Sequence, residues 1–352
     1  MIETKYFKID KENPEKEILQ EAASILRKDG IVAFPTETVY GLGASAFSEK
    51  AIKKIYEAKG RPSDNPLIVH IASMDDLEQL TSDKSEKIKI LTEKYWPGPL
   101  TIVVNKKEGI PDIVTGGLSS VAVRFPSSEI AQALIKETKL PLAAPSANIS
   151  GRPSPTNGIA VLEDLKGKID VVLDAGPCLF GVESTVIDLT GDIPMILRPG
   201  SITYEMLLET LGEVELDNSL KLGDKIEASV VRSPGMKYTH YAPKQPLYLV
   251  EKKEDTVDII NKIIEEALQK NKKVGVILSE ETALKVSDNA IKKVYGSENN
   301  LNDIAAHLYE SLRYFDEQDV DFILAEGTSR QDVGLAIMNR LQKAATNIIK
   351  NS

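Results

Sequence analysis

The chain has 352 residues, of which 42% are apolar and 27% charged, a composition that suits two ordinary globular domains and excludes a disordered tail. Its formal net charge of -10 argues against a surface that grips nucleic acid chiefly by neutralising phosphates, and so favours a small-molecule ligand. The single Cys178 excludes a disulfide framework and a thiolate metal cluster.

In chain order, Asn13-Pro14-Glu15 reads as cap, first-turn proline and acidic residue, opening a helix through Ile18, Ala22, Ile25 and Leu26 that stops at Asp29-Gly30. Short apolar runs then predict strands at 31–35, 66–71, 100–104, 121–123, 141–144, 171–175, 185–189 and 194–198. Helical patterns at 48–58, 85–94, 128–137 and 156–165 lie between some of them, with Thr156 read as a cap. Helices and strands without strict alternation predict an α/β domain on a mixed, twisted sheet over residues 1–210. Residues 211–245 show no sustained period and end in Pro, Gly and Tyr, which predicts a linker. From 246 to 352 strand and helix alternate regularly, which predicts a smaller, doubly wound parallel sheet of Rossmann-like type. The opening residues lack a signal-peptide pattern and no run approaches about 18 apolar residues, so the chain reads as cytoplasmic, with no membrane span.

The common nucleotide signatures GxxxxGK[ST] and GxGxxG are absent, as are HExxH, CxxC and GxSxG. Arginine placement stands out instead. Five arginines occur in the first 205 residues, and at four of them, Arg61, Arg124, Arg152 and Arg198, a proline follows one or two positions later. Proline restricts itself and its predecessor, so such loops hold a guanidinium with less entropy left to lose, and guanidiniums grip carboxylates and phosphates bidentately. Taken singly, each is equally well a surface arginine beside a turn. Around Arg61, Lys59 and Ser63 add anion-binding groups and Gly60 allows close backbone approach, although Lys59 also reads as a solvated lysine at a helix C-terminus. Ser146, Asn148 and Ser154 form a second polar loop, and Ser184 and Thr185 enter a strand after Gly176, Pro177 and Gly181. His70, in an apolar run, reads either as a satisfied strand residue or as a ligand contact; Cys178 reads as a loop filler.

Taken together, FPTETVYGLG (34–43), AKGRPSDNPLIVH (58–70), WPGPLT (96–101), VAVRFP (121–126), APSANISGRPSPT (144–156), GVESTVIDL (181–189) and LRPG (197–200) resemble the threonylcarbamoyl-AMP synthase family. SPGMKYTHYAP (233–243) and the second α/β domain are similar to its longer, two-domain type, in which a YrdC-like domain is followed by a linker that crosses the active site. The resemblance implies a nucleotidyl transfer: L-threonine takes up CO2 derived from bicarbonate, and the carbamate attacks the α-phosphate of ATP with release of pyrophosphate. It implies that Thr36, Ile68, His70, Arg124, Ala144 and Ser184 bind threonine, Arg124 at the carboxylate. It further implies that Lys59, Arg61, Ser63, Ser120, Ser146, Asn148, Ser154, Arg198 and Tyr238 bind ATP, with Lys59 and Arg61 catalytic. Magnesium would accompany ATP with no protein-bound metal cluster, and the product would pass to transferase partners that make threonylcarbamoyladenosine in tRNAs reading ANN codons. A nucleic-acid-binding module with weak RNA contact is a rival that the acidic total opposes, and a carbamoyl-transfer maturation factor would need zinc-finger cysteines that one cysteine cannot supply.

Overall fold

A computed structural model of the chain describes residues 2–221 and 240–350. Internal contacts divide it into one unit of Met1–Ser150, Ser154–Leu179 and Glu183–Lys237 and another of Gly151–Pro153, Phe180–Val182 and Tyr238–Ser352.

The first unit carries a sheet of eleven strands: β1 (Lys5–Lys8), β2 (Val32–Phe34), β3 (Gly41–Ser45), β4 (Ile68–His70), β5 (Leu100–Asn105), β6 (Ser120–Arg124), β7 (Leu142–Ala143), β8 (Val171–Asp174), β9 (Thr185–Asp188), β10 (Met195–Arg198) and β11 (Glu215–Leu216). Their spatial order is β1-β8-β2-β3-β7-β4-β6-β5-β9-β10-β11. Parallel pairs such as β4–β6 and β5–β9 alternate with antiparallel ones such as β5–β6 and β9–β10, so the sheet is mixed.

Because successive side chains on a strand point to opposite faces, each strand feeds two layers. Ala33, Val69, Ile102, Val123 and Val172 enter one core with Ile52, Ile55, Leu91 and Val161 from helices. On the other face, Val32, Phe34, Val171 and Leu173 pack with Leu19, Ala22 and Leu26 of the helix Lys16–Arg27 and with Ile130 and Leu134 of the helix Glu129–Thr138. That helical layer serves β2 and β8. Further along the same face, Ile68, Val103, Ala122, Val186 and Leu197 form only a small apolar patch, and the remaining positions there are polar.

Several boundaries differ from expectation. The first helix starts at Lys16 with Glu15 as its cap residue, and no side chain caps it, so Asn13 does not take that role. Asn157, whose side chain accepts from Ala160 N, caps the helix Gly158–Leu165 in place of Thr156. Strands β1 and β3 and the helices Met74–Leu80 and Tyr204–Leu211 arise where no element is predicted, and the expected linker opens with β11 and the short helix Asn218–Lys221.

In the second unit, β12 (Leu247–Val250), β13 (Val274–Ser279), β14 (Ile291–Gly296), β15 (Phe322–Glu326) and β16 (Asn347–Ile349) form a fully parallel sheet in the order β14-β13-β15-β12-β16. Helices Thr256–Leu268, Leu301–Tyr314 and Gly334–Ala344 connect the strands, as βαβ crossovers require. At its carboxyl edge the buried Glu326 accepts from Ser279 N (2.8 Å), Ser279 Oγ (3.0 Å), Thr282 Oγ1 (2.7 Å) and Lys252 Nζ, so the carboxylate is fully satisfied. Among the described residues, no helix is long and apolar enough to cross a membrane.

Candidate active site

The polar set lies on one face of β4, β6, β5 and β9. Strand register places His70 opposite Arg124 and Arg124 opposite Thr101, so three neighbouring strands present these side chains in one row. Ile68, Ala122, Ser120 and Val103 occupy the same face at a period of two. Arg124 is 3% exposed. Its guanidinium donates to Glu37 Oε1 at 2.6 Å, to Thr38 Oγ1 at 2.9 Å and weakly to Gly98 O at 3.4 Å. The buried guanidinium read as a carboxylate clamp thus already has an internal carboxylate, Glu37, as its counterion.

Thr36 sets the turn that delivers Glu37 and Thr38. Its hydroxyl donates to Val39 O at 2.6 Å, lies 2.9 Å from Thr38 Oγ1 and accepts from the amides of Thr38 and Val39 at 3.2 Å each. That hydroxyl is fully engaged within its own loop. Ser184 is likewise held: its Oγ lies 2.8 Å from Thr101 Oγ1, and Arg198 donates to Ser184 O at 3.0 Å and to Ser184 Oγ at 3.1 Å. The close approach needs Gly200, because a Cβ there would fall 2.4 Å from Thr185 N. Ser154 donates to buried Glu183 at 2.6 Å.

Lys59 is 1% exposed, which removes the reading of it as a solvated helix-end lysine. Its ammonium donates to Ser146 O and Asn148 O at 2.5 Å each, and its own carbonyl accepts from Ser150 N at 2.8 Å. The lysine therefore clips the end of the helix Glu49–Lys59 to the 146–150 loop, where Ser146 Oγ donates to Asn148 Oδ1 at 2.6 Å. Gly60 sits at φ 60°, and a Cβ there would meet nothing within 4 Å. That conformation is the left-handed helix stop that glycine favours, and it leaves open space beside the backbone. Arg61, half-buried, folds back on Pro66 O at 3.1 Å, and Ser63 is exposed. Ile68 and Ala144 are buried and joined by the bond from Ala144 N to Ile68 O at 2.9 Å. Arg152 belongs to the second unit and pairs there with Asp316. Tyr238 lies outside the described residues.

Burial, reinforced by the nearby Arg124 charge, pushes His70 down to about 3, so the imidazole is neutral at physiological pH. The unfolded histidine takes its proton near pH 6.5 and the folded one only near pH 3, so stability is complete above that window and lost as pH falls through it. The unfolding free energy of the wild type, from urea titrations, should fall between pH 6.5 and 4 by up to about 1.4 kcal/mol per pH unit more than that of His70→Phe. Parallel slopes for the two proteins would disprove the assignment. Burial raises the Cys178 thiol, which keeps it neutral and a poor nucleophile.

Glu37, Thr38, Thr101 and Glu183 are components that the motif reading passed over. The available signal was a carboxylate inside each of two otherwise uncharged motifs, TETVYG and GVEST, each of which needs a cationic or hydroxyl partner once buried.

The model for the family described as "Telomere recombination" matches residues 24–200, and that described as "Threonylcarbamoyl-AMP synthase, C-terminal domain" matches 202–346. A threonylcarbamoyl-AMP synthase of Bacillus subtilis is 50% identical over 93% of this chain and 92% of its own. The chain belongs to the threonylcarbamoyl-AMP synthase family. It is thereby an enzyme of nucleotidyl transfer, of a family tied to tRNA modification. The Pyrococcus abyssi synthase is 46% identical over 92% of this chain and 93% of its own. The crystal structure of P. abyssi Sua5 complexed with L-threonine superposes with a TM-score of 0.92 at 42% identity, covering 99% of this chain and all of that one. The structural match therefore extends over nearly the whole of this chain.

Proposed function

We propose that residues 1–210 condense L-threonine, bicarbonate and ATP to threonylcarbamoyl-AMP and pyrophosphate, with 211–245 as linker and 246–352 as an accessory domain. The observation that carries this reading is the buried Arg124, set in one row with neutral His70 and Thr101 beside the Arg198–Ser184 contact. A relative crystallised with L-threonine supports the substrate. Arg124 receives the threonine carboxylate, while Ile68, His70, Ala144 and Ser184 shape the pocket. Thr36 acts through its turn, which holds Glu37 and Thr38. Lys59, Arg61, Ser63, Ser120, Ser146, Asn148, Ser154, Arg198 and Tyr238 serve the nucleotide, and Lys59 and Arg61 favour charge development on the phosphates.

ATP enters as its magnesium complex. The triphosphate and water supply the ligands of the ion, as is usual for magnesium bound with a nucleotide. The enzyme acts in the cytoplasm and passes its product to transferases that modify tRNA, with at most weak RNA contact of its own. Purified protein should release pyrophosphate from ATP only when threonine and bicarbonate are both present. Release without threonine would refute the reaction.

A further inference from the structure

Glu37 holds one oxygen in reserve. Its Oε1 accepts from Arg124 at 2.6 Å, whereas Oε2 is buried and has no hydrogen-bond partner. The residue is 8% exposed, so water does not solvate that oxygen freely. A buried carboxylate oxygen without a donor is costly, and such an atom at a functional site calls for the group that completes it. The side-chain oxygens of Thr36 and Ser184, the other hydroxyls assigned to threonine, are already engaged: the Thr36 hydroxyl has four contacts inside its turn, and Ser184 Oγ serves Thr101 and Arg198. Arg124 keeps N–H groups beyond those given to Glu37, Thr38 and Gly98, since a guanidinium has five. A carboxylate on those remaining donors lies beside Glu37 across a single guanidinium. An α-amino acid held there carries its ammonium one bond from the carboxylate-bearing carbon, within reach of Glu37 Oε2.

Resting on the reaction proposed above, we propose that Glu37 Oε2 is the acceptor for the α-ammonium of threonine and takes its proton. The nitrogen lone pair thus freed attacks the carbon of CO2 formed from bicarbonate. The step balances as ammonium plus bicarbonate giving carbamate, water and one proton: of the two protons the nitrogen loses, one is consumed as bicarbonate becomes CO2 and water, and the other passes by way of Glu37 to solvent. Glu37 is then a catalytic residue that touches substrate, and its pair with Arg124 presents one cation and one anion to the two charged ends of a single amino acid.

The test compares binding of L-threonine with that of 3-hydroxybutanoate, which keeps the carboxylate and hydroxyl and lacks the amine, by titration calorimetry of the full chain. Wild type should prefer threonine by about 10- to 100-fold, as a hydrogen bond to a charged group implies, and E37Q should lose most of that preference. Turnover by E37Q should also climb about tenfold per pH unit towards alkaline pH, where the free amino acid's ammonium sheds its proton unaided, while wild type stays flatter. A merely structural Glu37 would lower affinity for both compounds alike and leave the pH profile parallel to wild type, which overturns the proposal. Equal affinity of wild type for the two compounds overturns it without any variant, so the test survives an E37Q chain that does not fold. Wild type that binds neither compound overturns the reaction itself together with this role, whereas threonine binding with an intact preference in E37Q removes the role alone.

Discussion

Arg124→Ala should weaken threonine binding by about 100-fold or more while moving the ATP requirement by no more than about threefold, since it removes charge-assisted bonds each worth roughly 1.5–3 kcal/mol. It should also lower stability by about 3–5 kcal/mol, because Glu37 is left as an uncompensated buried charge. The two effects separate in the double variant Arg124→Met with Glu37→Gln, in which no buried charge is stranded. Urea unfolding should show most of the stability restored, while calorimetry finds threonine bound more weakly than by Glu37→Gln alone, which isolates the loss due to Arg124. Equal increases in the threonine and ATP requirements of Arg124→Ala would refute the carboxylate role.

Lys59→Met should act on the other substrate. Its ammonium ties Ser146 O and Asn148 O to the end of the preceding helix, and methionine fills a comparable volume without a donor. Two carbonyls in a buried turn then lose a charged partner, at a cost of about 2–4 kcal/mol in stability. With the 146–148 loop released and a cation removed from the phosphates, kcat/KM for ATP should fall by about 100-fold or more. Threonine affinity should change by less than about threefold, because the row of His70, Arg124 and Thr101 does not include the lysine. A Lys59→Met enzyme with ordinary ATP kinetics would reduce the lysine to a structural clip.

Local chemistry carried much of this protein into view from sequence alone. The runs around Leu100–Asn105 and Val121–Val123 are apolar at nearly every position because both faces of those strands are buried, and such runs stand out without a structure. Serine caps at Ser48, Ser85 and Ser128 start their helices close to where the pattern puts them, each accepting from an amide three residues on. The regular alternation after residue 246 is enough for a parallel sheet, since parallel strands need crossovers. Strands β1 and β3 stayed hidden for a physical reason: β1 is short and charged at both ends, and β3 is a glycine- and alanine-rich segment whose strand state is imposed by its neighbours.

The proline-flanked arginines were legible as candidate anion sites, but their fates were decided by what tertiary contact placed beside them. Arg124 found Glu37 from a strand-distant loop, Arg198 found Ser184, Arg152 found Asp316 in the second unit, and Arg61 turned back on its own backbone. Lys59 shows the same division most sharply. Sequence places it at the last turn of a helix before a glycine stop, where solvent is the ordinary surrounding for an ammonium. Only the folded chain brings the 146–150 loop across that helix end and buries the charge on two carbonyls. Sequence determined the elements and the residue types of the site, because capping, periodicity and proline act within a few residues. Tertiary structure decided the partners, because strand register and loop crossings join positions as distant as Arg124 and Glu37 or Lys59 and Ser146, each pair 87 residues apart.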